Sequence, residues 1–180
     1  MNTIEKKISG EVIYDGKVVR LEKDVVLCPN NNEAYREIVR HNGGAAVLCV
    51  TNDNKVILVK QFRYAYNEFL YEIPAGKLEL NEDPLVAAER EFEEETGNKA
   101  QNIEFLNVIY PTCGYCDEKI YLYLVTDFKQ TKTNLDEDEF VETYYIDLKD
   151  VYKMILNGEI KDAKTICAIN SYILKRGGID

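Results

Sequence analysis

The chain has 180 residues and a mass of 20.7 kDa, which is one domain's worth of sequence. It is 46% hydrophobic with only 10 Gly and 4 Pro, which excludes disordered, collagen-like and low-complexity classes. The formal charge of −10 is concentrated: residues 82–95 hold seven acids and one base, residues 136–142 hold five acids and no base, and the remainder is nearly neutral.

In chain order, Glu11–Tyr14 and Lys17–Leu27 read as two strands around a Tyr14-Asp15-Gly16 turn, because Asp-Gly between apolar runs is a strong hairpin signal. Tyr35–Arg40 alternates and reads as a strand. Ala45–Thr51 and Lys55–Phe62 flank Asn52-Asp53-Asn54 and read as a second hairpin. Phe69–Ile73 is a short strand ended by Pro74. Asp83 can cap a helix, Pro84 fits its first position, and Gly97 closes it. Ile103–Tyr110, Lys119–Thr126 and Phe140–Ile146 read as strands. Asp147–Asn157 and Asp162–Arg176 read as helices that each begin at an aspartate. The order does not alternate strand and helix, so an α+β domain with mixed or antiparallel sheets is expected, not a doubly wound fold.

Several function classes are disfavoured. The segment Met1–Glu11 has lysines but no apolar core, so no signal peptide is expected. The longest apolar runs, Ala45–Val50 and Ile120–Val125, have six residues each and are too short to cross a bilayer. A soluble, cytoplasmic protein is expected. Its five cysteines are then reduced thiols. Cys113 and Cys116 form a C-x-x-C without the helix start of a redox site or the second pair of a zinc site. With one histidine, His41, zinc clusters and histidine triads are disfavoured. Nucleic-acid binding needs a basic surface, which this composition does not supply.

On a helical wheel for 84–96, Leu85, Ala88, Phe92 and Thr96 make the core stripe. Glu91, Glu94 and Glu95 share the adjacent face, while Glu89 and Glu93 point to solvent. Carboxylates at i, i+3 and i+4 repel one another, and the helix dipole disfavours them near its C-terminal end. Arg90 can pair with Glu94 but cannot neutralise all three. Charge alone reads as a solvated acidic face; a hard divalent cation such as Mg²⁺ or Mn²⁺ would also balance it.

The surrounding residues favour the cation. Gly76, five residues, Glu82, seven residues, and then Arg90-Glu91-Phe92-Glu93-Glu94-Glu95-Thr96-Gly97 resembles the Nudix box at seven fixed positions over 22 residues. Phe92 replaces the usual aliphatic residue and Asn98 the final one. The resemblance implies an α/β/α sandwich on a mixed β-sheet, with an N-terminal β-hairpin extension. It implies one Nudix hydrolase domain over 1–180, in which strands of 1–40 take part in a homodimer contact and 41–180 form the catalytic core. It also implies metal-dependent cleavage of a nucleoside diphosphate linked to another moiety. By position, Glu91, Glu94, Glu95 and the Ala75 carbonyl would be metal ligands, Glu82 an auxiliary acid, and Arg90 the residue that orients the carboxylates.

Gln61-Phe62-Arg63, Glu72-Ile73-Pro74-Ala75-Gly76, Asp138-Glu139-Phe140-Val141-Glu142 and Asp162-Ala163-Lys164-Thr165 are together similar to the ADP-ribose pyrophosphatase branch of that family. By this resemblance Arg63 would hold phosphate or the terminal ribose, and Glu72 would bond substrate near the scissile group. Tyr35 or Arg36 would help hold adenine; Tyr35 on an alternating strand is equally compatible with a core position. A glutamate of the second acidic patch would reach the attacking water as general base, Glu139 first and Glu137 second. The branch commonly has a proline where Cys113 stands, with Pro111 two residues earlier. The expectation is therefore Mg²⁺-dependent hydrolysis of ADP-ribose, or a similar nucleoside diphosphate sugar, to AMP and ribose 5-phosphate. The alternatives are another nucleotide sugar or a dinucleotide as substrate, and a non-catalytic nucleotide sensor.

Overall fold

The computed structural model describes residues 3–135 and 139–178. It divides into two compact units, Met1–Gly43 with Tyr110–Lys119, and Gly44–Ile109 with Ile120–Asp180.

The first unit is a three-stranded antiparallel sheet, β1 (Lys6–Asp15), β2 (Arg20–Leu27) and β3 (Glu33–Arg40), in that order. The expected hairpin is present and gains a third strand. Its turn is longer than the Asp-Gly signal implies: Asp15 pairs with Arg20, and Gly16 N–H donates to the Val19 carbonyl at 3.0 Å. Lys17–Val19 are thus turn residues, not strand. Every residue of β1 is exposed. The segment Tyr110–Lys119 joins this unit through Val39 N–H, which donates to the Tyr115 carbonyl at 2.8 Å.

The second unit carries a seven-stranded mixed sheet. Its main path is β10 (Val141–Asp147), β5 (Lys55–Arg63), β4 (Gly44–Val50), β9 (Ile120–Gln130) and β8 (Asn98–Ile109). Only β4 and β9 run parallel. β4 meets β5 only at Cys49–Ile57 and Val50–Val56, and the two strands then diverge. Into this opening go β6 (Glu68–Glu72), paired with β5, and β7 (Ala75–Lys77), paired with β4. Pro74 between them donates nothing to a ladder, and its carbonyl accepts Val47 N–H at 2.9 Å.

β4 is buried along its whole length because both of its faces are covered. Ala45, Val47 and Cys49 meet Ala87, Ala88 and Phe92 of α1 (Pro84–Thr96). Ala46, Leu48 and Val50 meet Leu148 and Val151 of α2 (Leu148–Leu156) and Ala168, Ile169 and Tyr172 of α3 (Ala163–Arg176). This is the α/β/α sandwich on a mixed sheet. Leu85, expected in the core stripe, is exposed at 38%; it lies in the first turn, and Ala87 takes the buried position.

Candidate active site

Helix α1 begins where its sequence predicts. Asp83 Oδ1 accepts Leu85 N–H at 2.8 Å, Pro84 occupies the first turn, and Gly97 ends the helix at φ 65°. These caps fix the ends of the helix, and the packing of Ala87, Ala88 and Phe92 on β4 sets its rotation. Glu91 and Glu95 are turned inward, 9% and 4% exposed, next to the buried Phe92. Glu94 stays partly exposed.

Arg90 is the centre of the acidic face. Its Nη1 donates to Glu91 Oε1 at 2.7 Å and to Glu94 Oε2 at 3.1 Å, the i, i+4 pair expected from sequence. Its Nε and Nη2 reach Glu82 at 3.3 and 3.4 Å. Glu82 is held in turn by Glu79 N–H at 2.8 Å. The loop before α1 and the acidic face of the helix are thus tied to one guanidinium.

The β6–β7 turn closes the site from the other side. Ala75 N–H donates to Glu95 Oε2 at 3.0 Å. A β-carbon on Gly76 would lie 1.8 Å from Glu91 Oε1, so glycine leaves the space that the Glu91 carboxylate fills. Burial pushes the Glu95 carboxyl up to about 8, opposed by the Ala75 N–H and reinforced by the charges of Glu91 and Glu139. Burial likewise raises Glu91, opposed by Arg90 and reinforced by Glu94 and Glu139.

Residues on either side of the second acidic patch reach the same helix end. Asn134 N–H donates to the Glu94 carbonyl at 3.0 Å, and Thr143 Oγ1 donates to the Glu95 carbonyl at 3.2 Å. Asn134 and Thr143, which flank the acidic segment, are therefore anchored to the last turn of α1. Glu139 is exposed and its charge is felt by Glu91 and Glu95. Glu137 lies outside the described residues.

The fit to a divalent cation follows from the donors. Among the described residues no three acids, histidines or cysteines stand in a metal-holding arrangement, and Arg90 bonds to oxygens of Glu91 and Glu94. The oxygens available are hard ones, two belong to buried carboxylates, and Gly76 keeps the backbone clear of Glu91. This set suits a hard cation of the Mg²⁺ type.

Beside it lies an ion cluster. Glu72, 1% exposed, accepts Arg63 Nε at 2.6 Å and Arg63 Nη2 at 2.7 Å. It also accepts Lys164 Nζ, which contacts Asp162 Oδ1 at 3.0 Å. Burial raises the Glu72 carboxyl, but the Arg63 fork and the Lys164 charge outweigh it and hold the group below the ordinary carboxylate range. The Arg63 side chain remains 40% exposed, with Nη1 unused by Glu72. The Asp162–Thr165 segment carries part of the family resemblance, but nothing in its sequence assigns a role to Lys164 or Thr165.

Tyr35 and Arg36 belong to the first unit. Tyr35 is 67% exposed, not core, and Lys23 Nζ lies 4.8 Å from its ring centroid. Arg36 Nε donates to Glu5 Oε2 at 3.0 Å. Each of the five cysteines, Cys113 and Cys116 included, is a free thiol. No helix among the described residues is long and apolar enough to cross a membrane.

Comparison with known proteins agrees with this geometry. The chain is 43% identical over 173 residues to the ADP-ribose pyrophosphatase of Bacillus subtilis (strain 168), covering 95% of this chain and 94% of that protein. It is 43% identical over 167 residues to the methanol dehydrogenase activator of Bacillus methanolicus, covering 92% and 90%. A crystal structure described as an ADP compounds hydrolase superposes with a TM-score of 0.84 at 18% identity, covering 97% of both chains, and so shares the fold. The NUDIX domain profile matches residues 40–169, a span that takes in both the capped acidic helix and the strands that bury it, and the chain belongs to that family.

Proposed function

We propose that this chain hydrolyses the pyrophosphate of ADP-ribose, or of a similar nucleoside diphosphate sugar, to AMP and ribose 5-phosphate. The observation that carries the reading is the convergence on one helix end of Glu91, Glu94 and Glu95, the Ala75 backbone and the residues Asn134 and Thr143 that flank the acidic segment. The 43% identity to a named ADP-ribose pyrophosphatase supports the substrate class.

Glu91, Glu94, Glu95 and the Ala75 carbonyl would hold Mg²⁺, or Mn²⁺ in its place. When bound, the cation neutralises the pyrophosphate and makes the attacking water more acidic. Arg90 keeps Glu91 and Glu94 turned toward the site and so limits how far they spread by mutual repulsion. Arg63, with its guanidinium fork on Glu72 and one nitrogen to spare, offers a charged donor to the phosphate or the terminal ribose. Glu139 takes a proton from the water that attacks the adenosyl phosphorus. The bond from that phosphorus to the bridging oxygen breaks, and the ribose phosphate leaves with the bridging oxygen. Glu137 is the second choice of base. Tyr35 and Arg36 hold adenine in this reading.

The functional unit is proposed to be a homodimer in the cytoplasm. Its physical motive is the first unit, where Ile8, Val12, Ile13 and Tyr14 of β1 are each 46–58% exposed and only Asp24 and Val26 of β2 are buried. Three strands with so little core need a partner surface.

The test is a panel of ADP-ribose, nucleotide sugars and dinucleotides with Mg²⁺, read by phosphate release after phosphatase coupling. The proposal expects ADP-ribose among the best substrates; a panel with no turnover contradicts it. A second reading rests on the Bacillus methanolicus relative: the chain raises the turnover of a dehydrogenase. A dehydrogenase assay with and without the chain separates the two.

A further inference from the structure

The segment Glu72–Ala75 is held at every residue. Arg63 and Lys164 grip the Glu72 carboxylate, and Val47 N–H holds the Pro74 carbonyl at 2.9 Å. Ala75 N–H is bonded to Glu95 at 3.0 Å. The remaining hold, on Ile73, comes from a distant helix: Ile73 N–H donates to Thr165 Oγ1 at 2.8 Å, across 92 positions of sequence. Thr165 and Ile73 are both completely buried.

The arrangement at Thr165 is more than a helix cap. Asp162 caps α3 by accepting Thr165 N–H at 2.9 Å, and its Oδ2 also accepts the Thr165 hydroxyl at 2.6 Å. That second bond commits the hydroxyl proton to Asp162 and aims the oxygen lone pairs at Ile73 N–H. One turn of helix thereby presents two aligned groups to the segment, the Thr165 oxygen to backbone and the Lys164 ammonium to Glu72. A helix needing only a start would require neither contact.

We propose that Thr165 and Lys164 are positioning residues that set the Glu72–Ala75 segment for cation and substrate. This rests on the reading of Ala75 and Glu95 as metal ligands. Thr165 acts through the backbone, two residues before Ala75. Lys164 acts through Glu72 and fixes how Arg63 is presented. Partners that orient metal ligands from behind typically change affinity or activity roughly 10–100-fold when removed.

The test is calorimetric titration of Mn²⁺ into the whole protein, with steady-state kinetics beside it. Thr165→Val keeps the side-chain shape and removes the hydroxyl; it is expected to weaken Mn²⁺ about tenfold and to lower kcat. Thr165→Ser restores the oxygen and is expected to recover both. Lys164→Met is expected to raise KM more than it lowers kcat, because Glu72 then faces Arg63 alone. A purely structural role predicts a lower melting temperature in these variants with Mn²⁺ affinity and the kcat and KM values unchanged, and that result overturns the positioning. If Thr165→Val does not fold, the Lys164→Met kinetics decide. Failure of the wild type to bind Mn²⁺ overturns the metal reading, and this inference with it.

Discussion

Gly76 is glycine because a carboxylate stands where its β-carbon would be. Gly76→Ala is therefore expected to leave the fold intact, since the Glu91 side chain can swing away, while activity falls at least about tenfold as Glu91 leaves its place. A thermal melt and a turnover assay on the same preparation check this. Glu95 shows a related separation of stability from function. It is buried without a cation partner at hydrogen-bond distance, so Glu95→Gln in metal-free buffer is expected to melt no lower than the wild type. Turnover should nevertheless collapse. Glu72 behaves in the opposite way. Its folded-state pKa is depressed, so the unfolded chain binds the extra proton first as pH falls. The stability it contributes is complete above the unfolded value of about 4.3 and is lost as pH drops through the folded value. Urea melts at pH 7 and pH 3.5 should show the difference between wild type and Glu72→Gln shrinking at the acid end.

What the chain disclosed at this scale was local. The spacing from Gly76 to Gly97 named Glu91, Glu94 and Glu95, and i, i+4 geometry named the Arg90–Glu94 pair. Lys164 and Thr165 escaped because their partners, Glu72 and Ile73, are 92 positions away, and no periodicity records such a contact.

At the scale of elements, α1 was read to the residue because it has three independent markers, Asp83, Pro84 and Gly97. β8 starts five residues before the expected Ile103 and ends one residue before the expected Tyr110. Register shifts at Ala100/Asn102 and Asn102/Ile103 break its alternation over the polar first half, so the strand signal begins at the apolar run from Ile103. β7 has three residues, too few for any pattern, yet it carries Ala75 and Gly76. The start of α3 supports a prediction of its own. Asp162→Ala removes the acceptor of Thr165 N–H and of its hydroxyl and one of the two partners of Lys164, and is expected to cost at least about 1 kcal/mol in chemical denaturation. A loss well below that would mean water replaces the cap fully.

For the whole molecule, the net charge of −10 resolves into two acidic patches on a nearly neutral remainder. The first forms the carboxylate face of α1, and the second is flanked by Asn134 and Thr143, which bond to that helix's last turn. The division into two units was not visible in composition, because the segment 110–119 that joins the N-terminal strands lies far from them in sequence. The exposed apolar residues of β1 predict self-association: sedimentation should give twice the chain mass of 20.7 kDa, and a monomer at micromolar concentration would contradict the dimer. The central claim is that water attacks the adenosyl phosphorus of a nucleoside diphosphate sugar at the acidic face of α1. Hydrolysis of ADP-ribose with Mg²⁺ in ¹⁸O-labelled water tests it most directly. The account predicts equal amounts of AMP and ribose 5-phosphate with the label in AMP, and turnover lower by on the order of a hundredfold or more in Glu139→Gln. Intact ADP-ribose, or label in ribose 5-phosphate, would contradict it.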